Sequence, residues 1–405
     1  MNSIDRKKHI LVVSQYFYPE QFRINDICTE WVKKGYKVTV LTGIPNYPQG
    51  KYYEGYGMNN KRKEEWNGIR IVRIPIVPRG NSAISMIANY ISFVGSGVVW
   101  NLLTNIKADF VFIFEVSPMT QALVGVWHAK KRRIPCYIYV QDLWPENVEI
   151  VTGISHPLVI KPIDKMVKYI YENCDHIFAT SPSFVKEIQN KCKEKEKVSY
   201  WPQYAEDFYK PINKEIAKRK VPEIPIDDSF KIVFTGNIGK AQGLEILPKV
   251  AIELKNENIK FVIVGDGREK VNFLKSLKAN KVENMFVMID KQPPTRIPEI
   301  LACCDAAFLS FMDNELFNKT IPAKLQSYMA CGMPIIAVAG GETRRIIEET
   351  NCGLWSEIGN IKNLKYNILK LINEDIYTMS RESELYCNKF FNKEILINQM
   401  DKFFL

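Results

Sequence analysis

The chain alternates short, unbroken apolar runs with longer segments in which apolar residues return every three or four positions, the pattern of buried strands separated by helices. In the first half the runs are His9–Ser14, KVTVLTG from Lys37, IRIVRIPI from Ile69, DFVFIFE ending at Glu115, and Cys136–Val140. DHIFATSPS, Asp175–Ser183, adds a strand and a capped helix. A helix from about Arg23 to Lys34, stopped by Gly35, joins the first two strands. This β-α-β order implies a parallel sheet, whose ligands sit beyond the carboxyl ends of its strands. The aromatic and proline-bearing loops Tyr16–Arg23 and Pro45–Tyr53 lie at those ends, as cleft linings or as plain connections.

The pattern stops and restarts once. Residues Pro202–Asp228 hold Pro202, Pro211, Pro222 and Pro225 with mixed charge and no sustained period, which predicts a linker. A second strand-helix series follows: Lys231–Thr235, KFVIVG, FVMID, DAAFLSFM and MPIIAVA, with a helical tail from about Asn360. The expected division is a first domain over 1–205, a second over 206–385, and a C-terminal helix over 386–405 that packs back on the first.

One helical segment is unusual: Gly80–Ile106 carries no charged side chain, a length that raises a membrane span. Ser82, Ser85, Asn89, Ser92, Ser96 and Asn101 interrupt it, and it lies between two strands of one sheet, so a span is not expected. Ile84, Ile87, Ile91, Val94, Val98 and Leu102 recur at helical spacing and should cover the sheet. Met86, Tyr90, Phe93 and Trp100 lie off that stripe, either as core or as a surface dipping into a bilayer between Arg79 and Lys107.

Composition narrows the class. At 405 residues and 46% apolar content the chain can fill two cores. Nine cysteines without a C-x-x-C pair read as reduced thiols of a cytosolic protein, and the four histidines share no ligand spacing, so no metal site is expected. RKKHILVVS passes from a basic cluster into a strand without a cleavage site, which argues against a secretory leader. Charge is lopsided: residues 1–200 hold 27 Lys and Arg against 18 Asp and Glu, whereas residues 201–405 hold 28 against 27. A basic first half suits an anionic surface or acceptor such as a lipid diphosphate; no reader motif or aromatic-laced basic stripe supports nucleic acid. KKRR, Lys130–Arg133, is first of all a solvated helix end.

The chemistry gathers in the second half. In NKTIPAKLQSYMACGMPIIAVAGG, Asn318–Gly341, Pro322 suits the first turn of a helix about three turns long that Gly332 stops. Thr320, Ala323 and Lys324 thereby offer first-turn amides, a dipole and an ammonium to an anion, although the same pattern fits an ordinary core unit with a solvated lysine. FTGNIGKAQGLE sets Gly236, Asn237, Gly239, Lys240 and Gln242 at a strand exit; FVIVGDG does the same for Gly265, Asp266 and Gly267. Neither is a G-x-G-x-x-G or Walker loop. Three exits of one sheet offering amides or cations favour a nucleotide diphosphate. In VQDLWPENVE, Asp142 leaves a strand with Glu146 and Glu149 behind it, a position for a base or for a group steadying positive charge; the alternative is a helix cap.

These segments, with YFYPEQFRINDI, LTGIPNYPQGKY and TIPAKLQSYMACGMPIIA, resemble family 4 of the retaining glycosyltransferases, and within it the enzymes that add N-acetylated amino sugars such as N-acetyl-L-fucosamine in O-antigen or capsule synthesis. The resemblance runs through nearly the whole chain. It implies an α/β GT-B architecture, two Rossmann-like domains facing across a cleft, with a polyprenyl-diphosphate-linked acceptor on the first, a UDP-sugar on the second, no cofactor or metal, and work at the cytoplasmic membrane face. It matches Gly236, Asn237, Gly239 and Lys240 to the donor-diphosphate loop, Lys324 to the lysine of P-x-K, and Asp142 to a residue facing the transferred sugar. The family's Glu-x7-Glu pair is replaced by Lys319 and Ser327, leaving Ser327 or Glu342 for the ribose. The lost glutamates also admit a catalytically silent partner subunit, and a GT-B sugar-nucleotide epimerase is the third reading.

Overall fold

A computed structural model of the chain describes residues 8–80 and 82–404. Part of the leading basic cluster, Arg6 and Lys7, lies outside them. Two compact units result: Met1–Trp201 with Gln399–Leu405, and Pro202–Asn398.

In the first unit β1 (His9–Val13), β2 (Lys37–Gly43), β3 (Lys63–Trp66), β4 (Ile69–Ile74), β5 (Phe110–Glu115), β6 (Cys136–Val140), β7 (His176–Ala179) and β8 (Val198–Tyr200) form one sheet in the order β3-β4-β2-β1-β5-β6-β7-β8. Every pairing is parallel except β3 with β4. The central strands are covered on both faces, so β1 and β5 are buried along their whole length, which is why they read as unbroken apolar runs. The end of the chain belongs here: Phe404 sets its ring 4.4 Å from Phe110 and 5.4 Å from Trp31.

The second unit holds β9 (Phe230–Thr235), β10 (Ile259–Val264), β11 (Phe286–Ile289), β12 (Ala306–Ser310), β13 (Ile335–Val338) and β14 (Gly353–Ser356), all parallel, in the order β11-β10-β9-β12-β13-β14. The order reverses between β9 and β12, so the loops leaving β9, β10 and β12 meet at a switch point. The proline-rich stretch predicted as a linker is part of this unit. Ala217, Val221 and Ile224 are buried in its core, and the Gln326 amide donates to the Gln203 carbonyl at 2.9 Å, so the boundary falls at Trp201 instead of 205. Residues 386–398 also stay with it, and only the last turns cross to the first unit.

The uncharged helix, Ala83–Leu103, lies opposite to expectation. Ile84 is 81% exposed, Ile91 66% and Leu102 70%, while Asn89 and Phe93 are fully buried. Polar neighbours decide this orientation. Asn89 accepts from the Gln15 amide at 2.7 Å and donates to the Val77 carbonyl at 2.5 Å; Asn101 donates to the Val124 carbonyl at 3.1 Å and meets Nδ1 of His128 at 2.7 Å. Gly97 lets the helix approach closely, since a Cβ there would fall 2.4 Å from Val124. Hydrogen-bonded asparagines inside offset the desolvation that an apolar face would avoid. Tyr90 and Trp100, read as off-stripe residues, pack inward beside Trp144 and His128.

Candidate active site

In the second unit the three expected strand exits do converge. Gly236 N donates to Val264 O at 2.8 Å, and Ile238 N to Asp266 O at 2.8 Å, so the loops leaving β9 and β10 lie backbone against backbone. Glycine is required for that approach: a Cβ on Gly265 (φ +150°) would stand 1.9 Å from Gly236 O, and one on Gly267 (φ +158°) 2.3 Å from Ile238 O. The helix Ala323–Ala330 joins them through Lys324, whose ammonium lies 3.4 Å from the Cβ position of Gly236 and 3.9 Å from the Phe234 ring centre. Tyr328, one turn on, accepts from Thr235 N at 2.9 Å and fixes this helix to the end of β9. The helix is about two turns long, shorter than predicted, because Cys331 and Gly332 already close its last turn on Ser327, Tyr328 and Met329.

Lys324 has no acidic partner among the described residues. Burial without a counter-charge lowers its pKa to about 7. Pro322, at the helix start, brings no side-chain acceptor to the first-turn amides. A buried lysine, an uncapped helix start and a glycine loop lie within contact of one another, the groups that can hold a small polyanion.

The remaining predicted residues take distinct places. Gln242 braces the β9 loop by accepting from Gly239 N at 3.2 Å, and its own carbonyl accepts from Ser310 at the end of β12. Asn237 leans toward Gln242 at 3.5 Å, and Asp266 accepts from Gly267 N at 2.8 Å. Lys240 is exposed at the far end of the loop, bordering a hollow of about 400 Å³ with Glu245 and Glu269; the contact with Gly236 is made by Lys324. Thr320 donates back to Leu316 O and Ser327 to Ala323 O, which leaves oxygen lone pairs on both hydroxyls. Glu342 is buried and gripped by Arg345 at 2.8 Å, so a ribose there would compete with a guanidinium. Lys319 pairs with Glu315 at 3.0 Å. Among the described residues no group of three His, Cys, Asp or Glu side chains is placed to hold a metal.

The first unit has its own cluster at the carboxyl ends of its strands. Asp142 accepts from Ser117 N at 2.7 Å, which holds its carboxylate against the end of β5. Glu115, the last residue of β5, is fully buried beside it, and burial together with the Asp142 charge pushes its pKa well above the usual carboxylate range. Glu146 is bound to Lys191 at 2.6 Å, and Lys191 also donates to Trp144 O at 2.8 Å, so this pair clamps the Trp144 loop. Tyr16, Phe22 and Tyr47 pack ring on ring with centres 5.2–5.6 Å apart. Glu20 accepts from Asn46 N at 2.8 Å and Tyr47 N at 2.7 Å, joining the two aromatic loops; burial pushes it up to about 7 against those donors.

Sequence reasoning did not single out Glu20, and passed over Glu115 as a mere strand end. The available signal was an acid closing an otherwise apolar strand and another inside an aromatic loop, both at strand exits.

Comparison with known proteins agrees with this division. Residues 21–202 match the description "Glycosyl transferase 4-like domain" and residues 216–386 "Glycosyl transferases group 1". The chain is similar to the probable glycosyltransferase WbjE of Pseudomonas aeruginosa, 27% identical over 230 residues, 54% of this chain and 55% of the relative, so the match spans about half of that protein. It is also similar to the putative colanic acid biosynthesis glycosyl transferase WcaI of Escherichia coli K12, 25% identical over 349 residues, 82% of this chain and 84% of the relative. Among solved structures, Anabaena HepE in complex with UDP superposes with a TM-score of 0.72 at 12% identity, covering 98% of this chain and 99% of that one, a likeness of fold. One matched glycosyltransferase domain thus lies on each parallel-sheet unit, the two together spanning most of the chain, and its architecture is the GT-B fold.

Proposed function

We propose that the protein transfers a sugar, of the N-acetylated amino type, from a UDP-sugar to a polyprenyl-diphosphate-linked acceptor with retention at the anomeric carbon, in surface polysaccharide synthesis. The observation that carries the donor half is Lys324, an ammonium without an acidic partner among the described residues, set against Gly236 at an uncapped helix start. As the acceptor hydroxyl bonds to the anomeric carbon, the bond to UDP breaks and negative charge gathers on the leaving diphosphate. Lys324, the β9 and β10 loop amides and, from the other end of the loop, Lys240 stabilise that charge, so the reading calls for no metal or cofactor. The HepE complex with UDP supports a nucleotide in this fold, and the names of WbjE and WcaI support glycosyl transfer and polysaccharide synthesis.

On the first unit, Asp142 is read as the group facing the transferred sugar, either steadying positive charge as UDP departs or acting as nucleophile. The hydroxyl proton passes to the departing phosphate or to this carboxylate. A peripheral seat at the inner face of the cell membrane is supported by the outward apolar face of Ala83–Leu103. Beside that helix runs a groove of about 1110 Å³, lined by Lys37, Arg62, Lys63, Arg70, Arg73 and Lys107 without an acid.

UDP release with lipid-linked acceptor tests the reading. Lys324→Ala is expected to lower turnover roughly 100- to 1000-fold with the fold intact, and Lys240→Ala by less. Near-normal turnover in Lys324→Ala removes the donor seat; less than a tenfold loss in Asp142→Asn removes the carboxylate route and leaves attack on the departing-phosphate face. A wild-type protein that releases no UDP supports the silent-subunit reading that Lys319 and Ser327 raise, and UDP-sugar turnover without acceptor supports the epimerase.

A further inference from the structure

Two arginines leave the same edge of the first unit's sheet in opposite conditions. Arg73, buried on β4, is paired with Glu64 at 2.7 Å and donates to the carbonyls of Lys61 and Tyr18. Arg79, six residues on and half-buried, has no carboxylate among the described residues. It is nonetheless held in place. Its backbone N–H donates to Asn46 Oδ1 at 2.8 Å, its guanidinium lies beside Tyr16, its Cζ stands 5.5 Å from the Tyr47 ring centre, and Nη2 lies 4.0 Å from Met86 Sδ. The Tyr90 hydroxyl lies near both this guanidinium and the Asp142 carboxylate.

A guanidinium kept rigid by rings and left without an acid presents a planar fork of donors that fits a phosphoryl group in two-point contact. Tyrosine hydroxyls around it are weak acceptors that a phosphate displaces readily, whereas a carboxylate would have filled the position. We infer that Arg79 is the anchor for the phosphoryl group of the acceptor, with Tyr16, Tyr47 and Tyr90 walling the sugar that lies between that group and Asp142. This rests on the acceptor class proposed above and adds the residue that recognises it. Met86, which touches the guanidinium, sits in the first turn of Ala83–Leu103, and the exposed Ile84, Ile87 and Ile91 continue from there along the helix as a path for an apolar tail.

The full-length protein, with UDP saturating the second unit, is titrated calorimetrically with three probes: N-acetylglucosaminyl farnesyl diphosphate, N-acetylglucosaminyl diphosphate without lipid, and neutral farnesyl N-acetylglucosaminide. Transfer to each is measured in parallel with a UDP-sugar panel. The wild type is expected to favour both charged probes over the neutral one. Arg79→Gln should weaken the charged probes roughly 10- to 100-fold and raise their KM more than it lowers kcat, leaving the neutral probe and UDP affinity unchanged. Tyr16→Phe, which removes the neighbouring hydroxyl and keeps both the ring and the guanidinium, should weaken the same two probes by a smaller factor; loss of the lipid-linked probe alone would assign the selectivity to the apolar path. An equal loss on charged and neutral probes, or none, overturns the anchor while the transferase reading stands. Binding that depends on Arg79 without any transfer keeps the anchor and overturns the reaction, and absence of both binding and transfer overturns the two together.

Discussion

The two sheets end in different chemistry although both are parallel and both gather loops at the carboxyl ends of their strands. In the second unit the loops are glycines pressed backbone to backbone, Gly265 on Gly236 and Gly267 on Ile238, with one lysine added. In the first the same positions carry Tyr16, Phe22, Tyr47 and Trp144, joined by the buried acids Glu20 and Glu115. Amides brought close by glycine grip oxygen atoms without reading what else the ligand carries, which suits a leaving group common to many donors. Large rings and single charged groups distinguish shapes, which suits an acceptor that must be told from others. The difference teaches that a main-chain grip can hold a group shared by many ligands, whereas side chains can tell one ligand from another.

The largest effect expected from breaking this contrast is at Gly265. Gly265→Ala places a Cβ on a carbonyl oxygen at a φ of +150° and should cost about 2–4 kcal/mol of stability and most of the UDP affinity. Gly57→Ala in the first unit meets nothing within 4 Å and should change stability by about 0.5 kcal/mol or less. Denaturant unfolding and UDP calorimetry check both; equal losses would remove the contrast.

A smaller, pH-dependent effect belongs to Lys324. With its folded pKa lowered to about 7, the free protein keeps this lysine neutral above that value, and a diphosphate must draw a proton in. UDP affinity should fall by up to about tenfold per pH unit above 7, with proton uptake visible in buffers of different ionisation heat, and Lys324→Arg should flatten the slope. The sign for stability is opposite: between about 7 and 10.5 the unfolded chain holds the proton and the folded one does not, so this group favours folding more as pH rises through that window. Pairing with a hidden carboxylate would show as UDP binding without proton uptake.

The smallest effect on catalysis is expected from the outward face of Ala83–Leu103. Ile87→Asp with Ile91→Asp should lower partition onto anionic lipid vesicles by at least about tenfold, while turnover of a lipid-free acceptor and UDP affinity stay unchanged. Unaltered vesicle sedimentation would detach that face from the membrane.

Much of this was legible in the chain alone. Buried parallel strands are covered on both faces, so β1, β5, β9 and β13 appear as largely apolar runs, and the glycines at Gly236, Gly265 and Gly267 mark turns at strand ends. The helix start at Pro322 and the lysine after it are also local facts, set by backbone chemistry within a few residues.

Tertiary structure decided what periodicity cannot carry. A helical stripe says that two faces differ, and only the partners of Asn89, Gly97 and Asn101 determined that the asparagine face of Ala83–Leu103 turns inward. In the same way Glu146 and Arg79 are ordinary charges in sequence, and become a clamp and a cation with no carboxylate beside it among the described residues. Backbone preference acts over neighbouring residues, whereas the state of a charge depends on which distant groups the fold brings beside it.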